Sequence, residues 1–302
     1  MIVGAGSNVI NAGSGNNKIT ASDLWDSVNT ITAGSGHDKI IVEEGTSRIS
    51  AGDGKNSITA GDGSNTIDAG AGNNSVTTGD GDNQIATGAG KDRIQTGEGN
   101  NSITVAGGAN KITAGDGNNV FQLLDGRAQI KAGSGDNEIT TAGLNDVIQA
   151  GDGNNRIHAG AGNNRVKLGD GSNTVETGTG KDNLRAGDGD NMIVAGGGDN
   201  AVKAGHGNNA VQTGAGKDAI QFGDGNNTIT SLGGNTRSRL DTGKMQLKPG
   251  TAPTASKPGT AAMIFLPAVA MTASRPATGM TGSAAARVMT MSTPGVAMTP
   301  WC

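Results

Sequence analysis

Tyrosine is absent from this 302-residue chain, which holds only three Phe, two Trp and one Cys. With so few large side chains the usual core of helices on sheets cannot be filled, so burial must come from something thin and repetitive. The lone Cys302 excludes a disulfide framework. No apolar run approaches the roughly 18 residues of a membrane-spanning helix. The first residues lack a charged segment followed by an apolar one, so neither a membrane span nor an N-terminal secretory signal is legible. The three His (His37, His158, His206) are scattered, which speaks against a zinc site, and Cys302 has no partner that would make it a nucleophile.

Charge of one sign is scarce in places. From Ser231 onward a single acidic residue, Asp241, stands against seven Lys and Arg, so within a net charge of −4 the preceding array is acidic and the tail basic. An acidic array suits cation binding and gives no support for a nucleic-acid partner.

What is present is glycine, 54 residues of it, in a strict period. Let the positions of AGDGSNTID, residues 60–68, be slots one to nine. From Ile40 to Ile229 slot eight recurs every nine residues for 22 copies without insertion, and every occupant is apolar. Slot four is Gly in all copies but one, Leu144, and slot two in all but four. Gly at both places marks a turn over slots one to six that needs positive φ or close backbone approach. Slots seven to nine read polar, apolar, polar, a short strand with one buried side chain. One unit cannot bury its Ile alone. Two units per coil of 18 residues, stacked coil on coil, bury the slot-eight residues between two facing sheets.

This pattern resembles the haemolysin-type, or repeats-in-toxin (RTX), calcium-binding nonapeptide Gly-Gly-x-Gly-x-Asp-x-(apolar)-x. The resemblance covers about residues 4–230 and implies an all-β, right-handed parallel β-roll with calcium held between successive turns. It also implies a secreted bacterial protein, exported by a type I system and folded by calcium outside the cell. The expected organisation is irregular repeats over 1–32, with Ile10, Ile19 and a weaker unit around Trp25 to Val28, then the roll over 33–234, then a disordered low-complexity tail over 235–302.

The family's ligand Asp belongs at slot six. Here that slot is Asn in 15 copies and Asp in five, Asp38, Asp92, Asp146, Asp182 and Asp218, which the resemblance makes calcium ligands. Counting the copy that ends its core position at Ile40 as zero, all five lie in even copies. In odd copies slot three is acidic in nine of eleven, including Asp62, Asp80, Asp116, Asp152, Asp170, Asp188 and Asp224, which join the candidate ligands. The repeat is therefore 18 residues long with two chemically different edges. Each acidic turn offers one carboxylate from these two slots, and turn carbonyls and Asn side chains, hard oxygen ligands suited to calcium, supply the rest. Two other readings remain open: slot-three acids that only keep the roll soluble, and Asn ladders that replace metal.

Fragments such as GAGKD lack the strand, following helix and Lys-Ser/Thr of a phosphate-binding loop. Nothing points to catalysis, and acids repeated along one edge read as scaffold. The expected partners are calcium ions and cell-surface or matrix components. Alternatives are a metal-independent adhesive solenoid of a surface protein and the non-catalytic repeat module of a secreted enzyme.

Beyond Gly234 the repeat gives way to Pro, Ala, Thr, Met and Ser, yet Met-Thr-x-Ser recurs at 271, 280 and 289 in phase with the array. A one-base shift of Ala-Met-Thr codons yields Gly-Asp-Asp, so the tail reads as repeat sequence in another frame, with the native C-terminal end and its secretion signal missing. At the other end Met1 leads straight into repeat-like Gly4, Gly6, Asn8 and Ile10, as if the chain began inside an array.

Overall fold

A computed structural model describes residues 1–22 and 27–249, together with strand positions 255–256 and 262–265. Among the described residues every strand pairing is parallel and no helix occurs, and the chain winds as a β-solenoid of about 13 coils. At about 4.8 Å per coil the stack is on the order of 60 Å long.

The two strand positions of each coil, most of them three to five residues long, belong to different ladders. Even copies stack as one sheet, with Ile40 opposite Ile58 and Val166 opposite Leu184. Odd copies stack as the other, with Ile49 opposite Ile67 and Ile157 opposite Val175. Partners are 18 residues apart, so every slot faces its own kind in the next coil. The slot-eight side chains of both sheets, from Ile10 through Ile229, form one continuous apolar core, widened by Phe121 and Phe222. Slots seven and nine face outward, as the period-two alternation of a strand requires.

At slot four the glycines take positive φ, for example +127° at Gly135 and +129° at Gly153. Leu144, the one exception, is also the one non-glycine residue with positive φ among the described residues, at +68°. Its side chain is exposed, so replacing it forfeits little burial. A left-handed conformation costs an L-residue roughly 1–2 kcal/mol, against about 0.5–1 kcal/mol for glycine's extra freedom. Leu144→Gly is therefore expected to raise the unfolding free energy by about 0.5 kcal/mol in urea titration; a loss of stability would contradict this reading of the turn.

Two sequence expectations change, one at each end of the roll. The N-terminal core position falls on Ile31, 1% exposed, and not on Val28, which points outward; Trp25 lies outside the described residues. The out-of-phase step is a 21-residue coil, with Ile10 opposite Ile31 and Ile19 opposite Ile40. Between them, the segment from Phe121 to Ile130 stacks in register with Leu123, Leu124 and Ala128 at its turn slots, Ile112 opposite Ile130 and Ile130 opposite Ile148. Last, the ladders do not stop at residue 234. Arg237–Leu240 pairs with Ala219–Phe222, and Gly243–Pro249 with Gly225–Ser231. The nine-residue phase survives there, so Leu247 still fills the core column and Ser238 occupies it with a small buried hydroxyl. Apart from strand positions 255–256 and 262–265, the tail from residue 250 falls outside the described residues.

Candidate metal centre

Slot six is where the two edges diverge. On the odd edge an unbroken column runs from Asn65 to Asn227, each side chain buried. Asn119 shows the pattern. Its Nδ2 donates to the carbonyls of Gly115 at 3.1 Å and Gly117 at 2.9 Å and to Oδ1 of Asn137 at 3.1 Å, while its backbone N–H donates to the same Oδ1 at 3.2 Å. The amide nitrogen thus gathers oxygens from its own turn and the next, and each Asn needs the one above it.

On the even edge Asp38, Asp92, Asp146, Asp182 and Asp218 interrupt such a column. Their Oδ1 atoms do what an Asn oxygen does. Asp92 accepts the N–H of Asn74 at 2.8 Å, Asp146 that of Ala128 at 2.7 Å and Asp182 that of Asn164 at 2.8 Å. Asp38 and Asp218 each accept both the N–H and the Nδ2 of an Asn in the preceding coil, Asn17 and Asn200. Their Oδ2 atoms stand in the place of the amide nitrogen but cannot donate. All five Oδ2 atoms are buried and have no hydrogen-bond partner. An unpaired carboxylate oxygen at under 3% residue exposure is costly and is relieved by a proton, a cation or a hydroxyl that turns to donate to it.

The slot-one residue adds a second oxygen. Four of the five Asp turns carry Thr there: Thr87, Thr141, Thr177 and Thr213, five residues before Asp92, Asp146, Asp182 and Asp218. These hydroxyls are also buried, and those of Thr87, Thr141 and Thr177 lie close enough to act on the carboxyl of the Asp that follows. Thr78 and Thr96 precede Asn, so Thr does not need Asp, but Asp strongly selects Thr. Asp38 follows Ala33 instead.

Burial pushes the carboxyls of Asp92, Asp146 and Asp182 up from their ordinary value, and nearby N–H groups and the Thr87, Thr141 and Thr177 side chains offset only part of it. A carboxyl whose folded pKa is raised imposes no penalty below its unfolded pKa and a growing one as pH climbs through the folded value. In chelator, then, the native chain is expected to gain stability relative to the triple variant Asp92→Asn, Asp146→Asn, Asp182→Asn as pH falls from neutral into the ordinary carboxylate range. Urea midpoints at a series of pH values check it, and a difference that does not vary with pH would count against the buried carboxylates.

Slot three is placed differently. Asp62, Asp80, Asp116, Asp152, Asp170, Asp188 and Asp224 are exposed and lie on the odd edge, away from the slot-six Asp. Their Oδ1 atoms accept hydrogen bonds from the coil above: Asp62 the N–H of Asp80 at 2.8 Å, Asp80 that of Glu98 at 2.7 Å, Asp116 that of Ser134 at 2.7 Å. Asp152, Asp170 and Asp188 repeat this with Asp170, Asp188 and His206, and Asp224 takes the hydroxyl of Thr242. The glycine at slot two of the next coil makes room: a Cβ at Gly79 would overlap Oδ1 of Asp62.

Sequence reasoning missed a further ladder at slot five. Asp82, Asn100, Asn118, Asp136 and Asn154 each accept the N–H of the slot-five residue one coil on, at 2.6–2.9 Å. His37 and His206, read as scattered, serve as ladder acceptors through Nδ1, from Lys55 at 2.9 Å and Asp224 at 3.0 Å. The signal was there in the Asn, Asp and His recurring at slots three and five, but their role depends on a neighbour 18 residues away.

Among the described residues no three His, Cys, Asp or Glu side chains gather to hold a metal. An ion at a slot-six Asp would take one carboxylate plus carbonyl and hydroxyl oxygens, a donor set that fits a hard cation such as calcium and not zinc or copper.

A family model described as the RTX calcium-binding nonapeptide repeat (4 copies) matches residues 2–23, 26–58, 43–76, 50–85, 86–121, 131–166, 140–175, 168–202 and 194–229, together well over half of the chain. No curated protein and no solved structure gives a significant match.

Proposed function

The chain belongs to the RTX calcium-binding nonapeptide repeat family, and from that premise we propose that it is the calcium-binding β-roll module of a larger secreted bacterial protein, non-catalytic itself, with its ions at the slot-six Asp turns of the even edge. The observation that carries this reading is the set of five buried, unpartnered Oδ2 atoms, each where a neighbouring coil has an amide nitrogen. Asp92, Asp146, Asp182 and Asp218, with slot-one Thr beside them, would hold calcium better than Asp38. The slot-three acids are read as a structural ladder whose outer oxygens keep the odd edge hydrated.

The Asn column of the odd edge favours a second component to the reading: a spine that holds without metal. Calcium met outside the cell then completes the even edge of a roll whose odd edge is already formed. An ion bound only by the folded chain adds about 2.7 kcal/mol per site at a free concentration 100 times its Kd.

Thermal unfolding followed by circular dichroism tests this. The native melting temperature is expected to climb with calcium, and the fivefold variant Asp38→Asn, Asp92→Asn, Asp146→Asn, Asp182→Asn, Asp218→Asn to melt higher in chelator and ignore calcium. A variant that responds to calcium like the native chain would overturn the assignment.

A further inference from the structure

The overall charge conceals a segregation by position. Every outward-facing slot-seven and slot-nine residue of the even-copy sheet, from Lys39 to Arg239, is neutral or cationic; not one is a carboxylate. The odd-copy sheet is mixed, with Asp68, Glu138 and Glu176 among its Arg. On the even sheet the cations form rows. Arg93 lies directly opposite Lys111 in the slot-seven row. In the slot-nine row Gln149 is opposite Lys167, Lys167 opposite Arg185, Arg185 opposite Lys203, and Lys203 opposite Gln221.

All of these cations are exposed. Among the described residues no ion pair engages Lys167, Arg185 or Lys203; the one formed by this face, Arg239 Nε to Asp241 Oδ1 at 3.8 Å, sits at its end. Like charges directly opposite one another on a sheet are destabilising. Nothing in the stacking requires them, since Thr, Gln and Ser fill the same slots elsewhere in this sheet. The row also borders a shallow groove of about 330 Å³, in which the small Ala201 and Ala219 separate Asn183 from Arg237 along slot seven, beside Arg185 and Lys203 in slot nine.

We propose that the outer face of the even-copy sheet is a docking surface for a linear acidic polysaccharide lying along the roll axis. The charges repeat at about 4.8 Å per coil, in a straight line, which suits a polymer carrying one anionic group per sugar ring. The alternative polyanion, single-stranded nucleic acid, is bound through aromatic stacking platforms. From Lys39 to Arg239 none of the outward-facing slot-seven and slot-nine residues of this sheet is aromatic. The inference is independent of calcium, since the face lies on the strands and the slot-six Asp residues in the turns.

Binding of the full chain to dextran sulfate, uncharged dextran and an oligothymidylate tests it. Dextran sulfate alone should be retained, with affinity falling on the order of 100-fold between about 50 and about 200 mM salt. The triple variant Lys167→Gln, Arg185→Gln, Lys203→Gln should lose on the order of tenfold or more in affinity with its circular dichroism unchanged. Lys55→Gln, Lys91→Gln, Lys181→Gln, the same charge change on exposed turn positions, should stay within about twofold of native, because those side chains lie off the face. Equal losses in both variants would reduce the effect to net charge and overturn the proposal. Oligothymidylate bound as tightly as dextran sulfate would overturn the polysaccharide assignment. Salt-sensitive self-association abolished in the face variant, with no dextran sulfate binding, would give the face instead to the acidic edge of a second copy.

Discussion

Asn137→Asp is expected to destabilise the metal-free roll by roughly 3 kcal/mol or more at neutral pH and to make the loss recoverable with calcium. Asn137 sits mid-column on the odd edge, 1% exposed. Its Nδ2 donates to the carbonyls of Gly133 at 3.2 Å and Gly135 at 2.9 Å and to Oδ1 of Asn155 at 2.9 Å. The substitution keeps the shape and the accepting Oδ1, on which Asn119 depends, but turns a donor into a buried anion among three oxygens. The native Asp turns bury an unpartnered Oδ2 at the equivalent slot of the even edge. If the amide nitrogen stands in for a cation, the new turn should bind one, and an odd edge indifferent to calcium should become responsive. Asn137→Ala supplies the contrast: it removes the same donor and also the acceptor, so it should be at least as unstable in chelator but gain nothing new from calcium. Urea unfolding of the three proteins with and without calcium reads both effects. A calcium response equal in Asn137→Asp and Asn137→Ala would sink the equivalence of amide and ion.

The second large effect is expected at slot four. Gly117 has φ +132°, a conformation essentially confined to glycine, and a Cβ built there would overlap the backbone carbonyl of Gly99 in the coil below. Backbone cannot yield as a flexible side chain can, so backbone strain and steric overlap act together. Gly117→Ala should therefore lose at least about 3 kcal/mol, against a change within about 0.5 kcal/mol for Gln129→Ala on the exposed strand face. Near-equal urea midpoints for the two variants would mean that the coils are not packed this closely.

Most of the fold was legible because its determinants are periodic. One apolar residue every nine, with Gly at slots two and four, defines strand, turn and stacking together, and 22 copies leave no other period to choose. What failed was local. The weaker unit expected around Trp25 to Val28 has its core position at Ile31, because the longer coil shifts the phase by three residues and the glycines that would mark it are missing between Leu24 and Ser27. The end of the roll was set at residue 234, because composition changes there while the phase does not.

The site was half legible. The slot-six Asp residues, legible as the family's ligand position, share one buried environment. The slot-three acids looked equivalent on the page, yet Asp62 or Asp170 is exposed with its Oδ1 bonded to the next coil, while Asp182 is buried with an oxygen left over. Residue type and spacing cannot distinguish an acid that bonds upward at the rim from one that points inward. The Thr that accompanies Asp at slot one was visible as letters, but its meaning required knowing that slots one and six bury their oxygens side by side. Net charge likewise averaged over position, which hid a basic face on a chain whose array is acidic.

Calcium stoichiometry, measured by equilibrium dialysis and metal analysis on the native full chain and on its fivefold slot-six Asp→Asn variant, tests the central claim most directly. The claim predicts at most five bound ions for the native chain, one for each of Asp38, Asp92, Asp146, Asp182 and Asp218, and none for the variant, with both chains keeping their β signal. Calcium retained undiminished by the variant would contradict it, because the ions would then belong to slot three or to the turns that Asn already fills.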